Sequence, residues 1–239
     1  MRKYLIAALA ALTAVALTTA AVAQQPEANM TVKVTPTDAG TKKKPKNGKI
    51  SFHVENANTA RTLGALTIKA PSTVKVSTKG LPKCSETVLA NQGPSACPRA
   101  SRVGTGVAQA LLGVNLPPGN QTPLTFDVTA VVTGSKNIGF HLHGRGGFTA
   151  INLLSPGTIS GRDLKIQVPT GAQQPAPGTW AGLVSIDSTL SGKKGNKYLV
   201  SVTGCKNRKQ PFQSTLTFVN NGVTPAGNVT AQASSRCSS

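Results

Sequence analysis

Apolar residues recur at every second position over most of this chain, a spacing that suits strands and little else. Val32 and Val34 alternate with Thr31, Lys33 and Thr35; Ile50, Phe52 and Val54 alternate with Ser51, His53 and Glu55. Leu124, Phe126, Val128, Ala130 and Val132 stand mostly against Thr125, Asp127, Thr129 and Thr133. The pattern returns at Ile138-Phe140-Leu142, Leu164-Ile166-Val168 and Phe212-Ser214-Leu216-Phe218. Successive side chains of a strand point to opposite faces, so each stretch has one face to bury and one for water. Turn clusters separate them, among them Lys46-Asn47-Gly48, Ser155-Pro156-Gly157 and Asn220-Asn221-Gly222. With 24 glycines and 16 prolines, long helices are excluded.

Many short strands with one wet face predict an all-β protein, an antiparallel immunoglobulin-like β-sandwich. The chain's length suits two tandem sandwiches of about 100 residues each. They are expected over 24–116 and 120–239, divided at Pro117-Pro118-Gly119-Asn120, with a single larger domain over 28–237 as the alternative. A faint internal echo supports two units: Ile50-Ser51-Phe52-His53-Val54 resembles Ile138-Gly139-Phe140-His141-Leu142, and Leu66–Pro71 resembles Leu164–Pro169. Residues 81–102 break the strand rhythm. There a short helix near 85–91, entered at Ser85, is expected within a surface flap.

The first 23 residues have the parts of a secretory signal: Arg2 and Lys3, an apolar run from Leu5 to Leu17, and Ala21-Val22-Ala23 before Gln24. The run is short against the ~20 residues of a membrane span, so cleavage near Ala23-Gln24 and export to the cell surface or beyond are expected, with no transmembrane segment afterwards. Cys84, Cys97, Cys205 and Cys237 all follow the signal, and an even count in an exported chain reads as disulfides. Three pairings are open; Cys84 with Cys97 and Cys205 with Cys237 close the shortest loops. No Cys-x-x-Cys pair exists to suggest zinc.

The chain carries 26 Lys+Arg against 7 Asp+Glu, a formal charge of +19. Arg2 and Lys3 leave with the signal, so 24 basic and 7 acidic residues remain, a net of +17. Three loop clusters stand out: Lys42, Lys43, Lys44, Lys46 and Lys49; Lys193, Lys194 and Lys197; Lys206, Arg208 and Lys209. Cationic loops attract anionic cell-wall polymers or lipid headgroups without demanding a fitted shape. Specific nucleic-acid recognition is disfavoured, because the few aromatics fall at inward strand positions and leave no stacking platform.

Catalytic signatures are scarce. Neither a Gly-x-Ser-x-Gly elbow nor a phosphate-binding Gly-x4-Gly-Lys-Ser/Thr loop occurs. His141 and His143, two residues apart on a strand, share one face and form a weak candidate metal pair. Their simpler role is as exposed histidines beside Gly144-Arg145-Gly146-Gly147. No cofactor is expected. A metal-dependent hydrolase centred on His141 and His143, or an adhesion module binding protein partners, stands as the alternative to a non-enzymatic binding protein.

The strings Leu81-Pro82-x-Cys84-Ser85, Ala96-Cys97-Pro98-x2-Ser101-x-Val103-Gly104-x-Gly106 and Gly204-Cys205 to Cys237 are similar to uncharacterised exported β-rich proteins of high-GC Gram-positive bacteria. The resemblance implies secretion, a β-sandwich and both local disulfides. It implies no activity.

Overall fold

The structure is a computed structural model that describes residues 27–238; the expected signal 1–23 and its cleavage point at Ala23-Gln24 lie outside the described residues. The fold is mostly antiparallel β. The strands are β1 (Ala28–Thr35), β2 (Lys46–Asn56), β3 (Thr62–Lys69), β4 (Val74–Val76), β5 (Arg102–Leu112), β6 (Thr122–Val132), β7 (Asn137–Gly144) and β8 (Asn152–Ser160). They continue as β9 (Asp163–Gln167), β10 (Ala181–Leu190), β11 (Lys193–Lys194), β12 (Lys197–Tyr198), β13 (Val200–Val202), β14 (Lys209–Val219) and β15 (Gly227–Arg236). The two short helices are α1 (Glu86–Gln92) and α2 (Thr170–Gln173).

Thirteen strands form one sheet in the order β15-β14-β3-β9-β8-β7-β6-β5-β10-β2-β13-β4, with β1 also on β2; β11 and β12 pair separately. The sheet curls until β1 lies against β15. There Val34 N donates to Ser235 Oγ at 2.8 Å, and past the strand ends Ala39 N donates to Ser238 O and Ser238 N to Thr37 O, both at 2.8 Å. The inward faces therefore share one core, in which Phe52, Phe126, Phe140, Leu216 and Phe218 are all buried. Each such side chain contributes roughly 1.5–3 kcal/mol by leaving water. The period of two is realised closely: in β14, Phe212, Ser214, Leu216 and Phe218 are buried while the residues between them are not.

The expected division into tandem sandwiches is corrected by the pairing. Pro117-Pro118-Gly119-Asn120 is the tip of a hairpin, in which β5 pairs with β6 from Arg102↔Val131 to Leu112↔Thr122. Strands from the two expected halves interleave, with β3 between β14 and β9 and β2 beside β10. The internal echo has the same explanation. Leu66↔Ile166 and Ile68↔Leu164 are cross-strand partners, so β3 and β9 look alike because they wall one core.

The short helix is present as expected. Ser85 caps α1, its Oγ accepting from Val88 N at 3.2 Å. The flap is closed by a Cys84–Cys97 disulfide with Cα atoms 5.3 Å apart, and Cys205–Cys237 is the second, at 5.7 Å. Leu89, Cys84 and Cys97 pack on Val131 as a small second core on the outer face of the sheet. Gly139 of β7 makes room for it, since a Cβ there would stand 2.7 Å from Leu89 Cδ2.

Antiparallel order sends alternate connections to opposite ends of the body. One end carries the connections β1–β2, β3–β5, β6–β7, β8–β9 and β10–β14, together with the C-terminus. The other carries β2–β3, β5–β6, β7–β8, β9–β10 and β14–β15. Among the described residues, no helix is long and apolar enough to cross a membrane.

Candidate functional site

All three basic loop clusters fall at the first of these ends. Lys42, Lys43 and Lys44 occupy the β1–β2 connection, with Lys46 and Lys49 in the first residues of β2, all exposed. The connection folds back onto β13: a Cβ at Gly40 would meet Val202 O at 2.9 Å and Lys46 N at 2.6 Å. Lys193, Lys194 and Lys197 form the β11–β12 hairpin, which leads directly into β13. Lys193 Nζ stands 5.9 Å from the Tyr198 ring, and Lys197 covers Gly80 beside Lys79.

Lys206, Arg208 and Lys209 make the turn between β13 and β14. Asn207 (φ 53°) and Arg208 (φ 57°) are left-handed there, and Lys209 N donates to Lys206 O at 3.0 Å. The Cys205–Cys237 bridge and a 3.1 Å bond from Cys237 N to Arg208 O tie this turn to the end of β15. Sequence reading did not pick out Lys69, at the end of β3, or Arg162, in the β8–β9 turn. Both line a groove of about 310 Å³ together with Lys206 and Lys209, over Pro71 and Phe212 and between Gln213 and Gln232. Lys69 sits beside Pro71 and Arg162 beside a turn glycine, each a lone cation in sequence. Only the topology brings them to the same end.

Three acidic residues lie at this end, too few to neutralise it: Asp38, Glu86 in the β3–β5 connection, and Asp163, which follows Arg162 and stands across from Lys69. Asp38 is hydrogen-bonded to Lys46 Nζ, and that bond and the ammonium charge hold its carboxyl below the usual carboxylate value. At the opposite end the two basic residues in the connections are both paired: Arg61 Nη1 lies 2.7 Å from Glu27 Oε2, and Arg145 bonds Asp127, with Nε 3.0 Å from Oδ1. The Arg145 bond lowers the Asp127 pKa. Lys33 and Lys165 lie on strand faces. The charge is thus polarised along the body, and a field so focused attracts anions to one end.

The candidate metal pair is separated by its surroundings. His141 is buried, only 6% exposed, with Gly93 of the flap next to its ring, whereas His143 is exposed and its Nδ1 bonds Asn152 Oδ1 at 2.9 Å. The expectation of two exposed histidines is therefore corrected for His141: the flap covers it. His53 bonds Asp187 Oδ1 at 2.9 Å on β2, and β6, β5 and β10 separate it from β7. Among the described residues, no group of three or more His, Cys, Asp or Glu is placed to hold a metal ion.

Burial, and secondarily the charge of His143, lower the His141 pKa. The unfolded chain takes up that proton near the ordinary value of about 6.5, so it binds more protons than the native state below this pH. The contribution of neutral His141 is whole above about pH 6.5 and is lost progressively as the pH falls toward its lowered native pKa. His141→Gln is expected to shrink the drop in urea midpoint between pH 7.5 and pH 5. An unchanged drop would place the pH sensitivity elsewhere.

The chain matches no family model, no curated protein and no solved structure.

Proposed function

We propose that this is an exported, non-enzymatic binding protein whose basic end holds anionic cell-envelope polymers, wall polymers or lipid headgroups, by electrostatic contact. It acts as a single body over residues 28–237. The observation that carries this reading is the gathering at one end of Lys42, Lys43, Lys44, Lys49, Lys193, Lys194, Lys197, Lys206, Arg208 and Lys209, joined by Lys69 and Arg162. Screening limits such contacts to roughly 8–10 Å at physiological salt, so cations on one end act together while those on distant faces do not. The groove with Lys69, Arg162, Lys206 and Lys209 is the point where four cations from three parts of the chain converge on one anionic group.

Immobilised heparin and purified lipoteichoic acid serve as probes. Retention should weaken steeply with salt. The variant carrying Lys69→Gln, Arg162→Gln, Lys206→Gln and Lys209→Gln should bind about tenfold more weakly, about 1.4 kcal/mol over the four cations. Lys33→Gln with Lys165→Gln should change little. Retention insensitive to salt, or equal losses for both variants, would refute focused contact.

A further inference from the structure

At the end opposite the basic loops, the interior of the sheet is not filled. A cavity of about 170 Å³ lies among Leu63, Leu124, Phe126, Phe140, Leu153 and Ile166, and Ala172 and Pro175, on α2 and just after it, border it. Of all the side chains around it, only that of Ser155 is polar. Its walls come from β3 and from β5 through β10, each hydrogen-bonded to a neighbour on both sides. The wall therefore has little to offer a peptide, because its backbone donors and acceptors are spent in the ladders. Polar groups pushed in would lose water without replacement, at about 1–3 kcal/mol each.

The surroundings of the opening agree with an apolar guest. Of the five connections at this end, 113–121, 168–180 and 220–226 include no charged residue, and the single cation in each of the other two is paired, Arg61 with Glu27 and Arg145 with Asp127. The two exposed large hydrophobic residues among those described, Leu116 at 38% and Val223 at 59%, also lie here. An apolar cavity of about 150 Å³ admits a benzene-sized guest, so this one has room for about six carbons.

From the apolar lining and a rim whose connections carry no unpaired charge we infer that this cavity is a binding site for the hydrocarbon chain of an uncharged amphiphile, which enters from the end opposite the basic surface and leaves its head at the rim. The site is independent of the polyanion reading and involves none of its residues.

Calorimetric titration with n-alkanols, followed also by the fluorescence of Trp180, the single tryptophan, next to the lining residue Ala181, tests the assignment. n-Octanol should bind saturably at one per chain. At about 100 times its Kd it should raise Tm by about 5–10 °C. From n-butanol to n-octanol the affinity should climb about fourfold per methylene until the cavity is filled. Ala110→Leu and Ala181→Leu each place bulk at the lining and should weaken n-octanol binding at least tenfold. A flat chain-length series, the absence of saturation, or folded variants that bind as the parent does would overturn the inference. The chain-length series decides the matter even where a variant fails to fold.

Discussion

Replacing Cys205 and Cys237 together by serine is expected to lower unfolding free energy by about 4 kcal/mol, because the bridge closes a 32-residue separation. At roughly 2–4 °C per kcal/mol for a domain of this size, Tm should fall by about 10 °C. The native-state side of the argument points the same way. Cys237 N bonds Arg208 O, and Ser238 N and O exchange bonds with Thr37 O and Ala39 N, so the bridge sits where the curled sheet closes on itself. Freed from it, β15 keeps its ladder on β14 but loses the covalent anchor of its last residues. The corresponding Cys84→Ser, Cys97→Ser variant opens a 13-residue separation and should cost about 3 kcal/mol, with damage confined to the flap. Thermal melts of both variants, and of the reduced parent protein, check the ranking. A Tm within 2 °C of the parent for the 205–237 variant would contradict it. Loss of that bridge also frees the turn bearing Lys206, Arg208 and Lys209, so heparin retention should fall along with stability.

The strands β1, β2, β6, β7, β9 and β14 were legible because apolar residues alternate along them, whereas β5, β8, β10 and β15 lack so regular an alternation and were not. Val32, Ile50, Phe126 and Leu216 sit on apolar faces that only period-two pairing can bury. Turn residues were a poorer guide: Asn220-Asn221-Gly222 follows β14, but Ser155-Pro156-Gly157 lies inside β8 and Lys46-Asn47-Gly48 opens β2. The helix at Glu86–Gln92 was legible from its cap, since Ser85 precedes a stretch with no alternation. Sheet order was not legible. The motif that sets β3 between β14 and β9 is spread over three segments, and β3 and β14 are joined by contacts such as Leu66↔Leu216 across 150 residues. Alternation says which face is buried but not which neighbour a strand takes. Two similar strand pairs thus suggested two domains where one curled sheet holds both.

The site divides in the same way. Lysine runs such as Lys42-Lys43-Lys44 announce themselves, but their meeting with Lys69 and Arg162 depends on the parity of the connections. His141 illustrates the opposite failure. Its place on an outward strand face predicts exposure, and the flap 81–102, held down by Cys84–Cys97 and Leu89, overrides that locally. The cavity was invisible from sequence, since most residues lining it read as ordinary core and the others, such as Ser155 and Pro175, as turn or loop.

The Val103-Gly104-x-Gly106 string gains a physical reason from the structure, and Gly106→Ala is expected to be among the most damaging single changes in the protein. A Cβ at Gly106 would stand 2.1 Å from Asp187 O and 3.0 Å from Ser188 Cα; one at Gly104 would stand 2.6 Å from Thr189 O. These are backbone atoms of β10 and cannot rotate aside as a side-chain tip would. Nor can β10 simply move away, because its other edge is paired with β2 from Ser185↔Glu55 to Leu190↔Ile50, and its Asp187 carries the bond to His53. Admitting the methyl group therefore requires prising β5 from β10 or shifting three strands together. Overpacking in a closed core costs about 1–3 kcal/mol, and a backbone obstacle places this case at the upper end, about 3 kcal/mol. Gly147→Ala is the internal control: nothing lies within 4 Å of a Cβ there, so its effect should stay within about 0.5 kcal/mol. Urea unfolding with an unchanged m-value measures both. Equal midpoints for the two variants would mean that the close approach of β5 to β10 is not what these glycines serve.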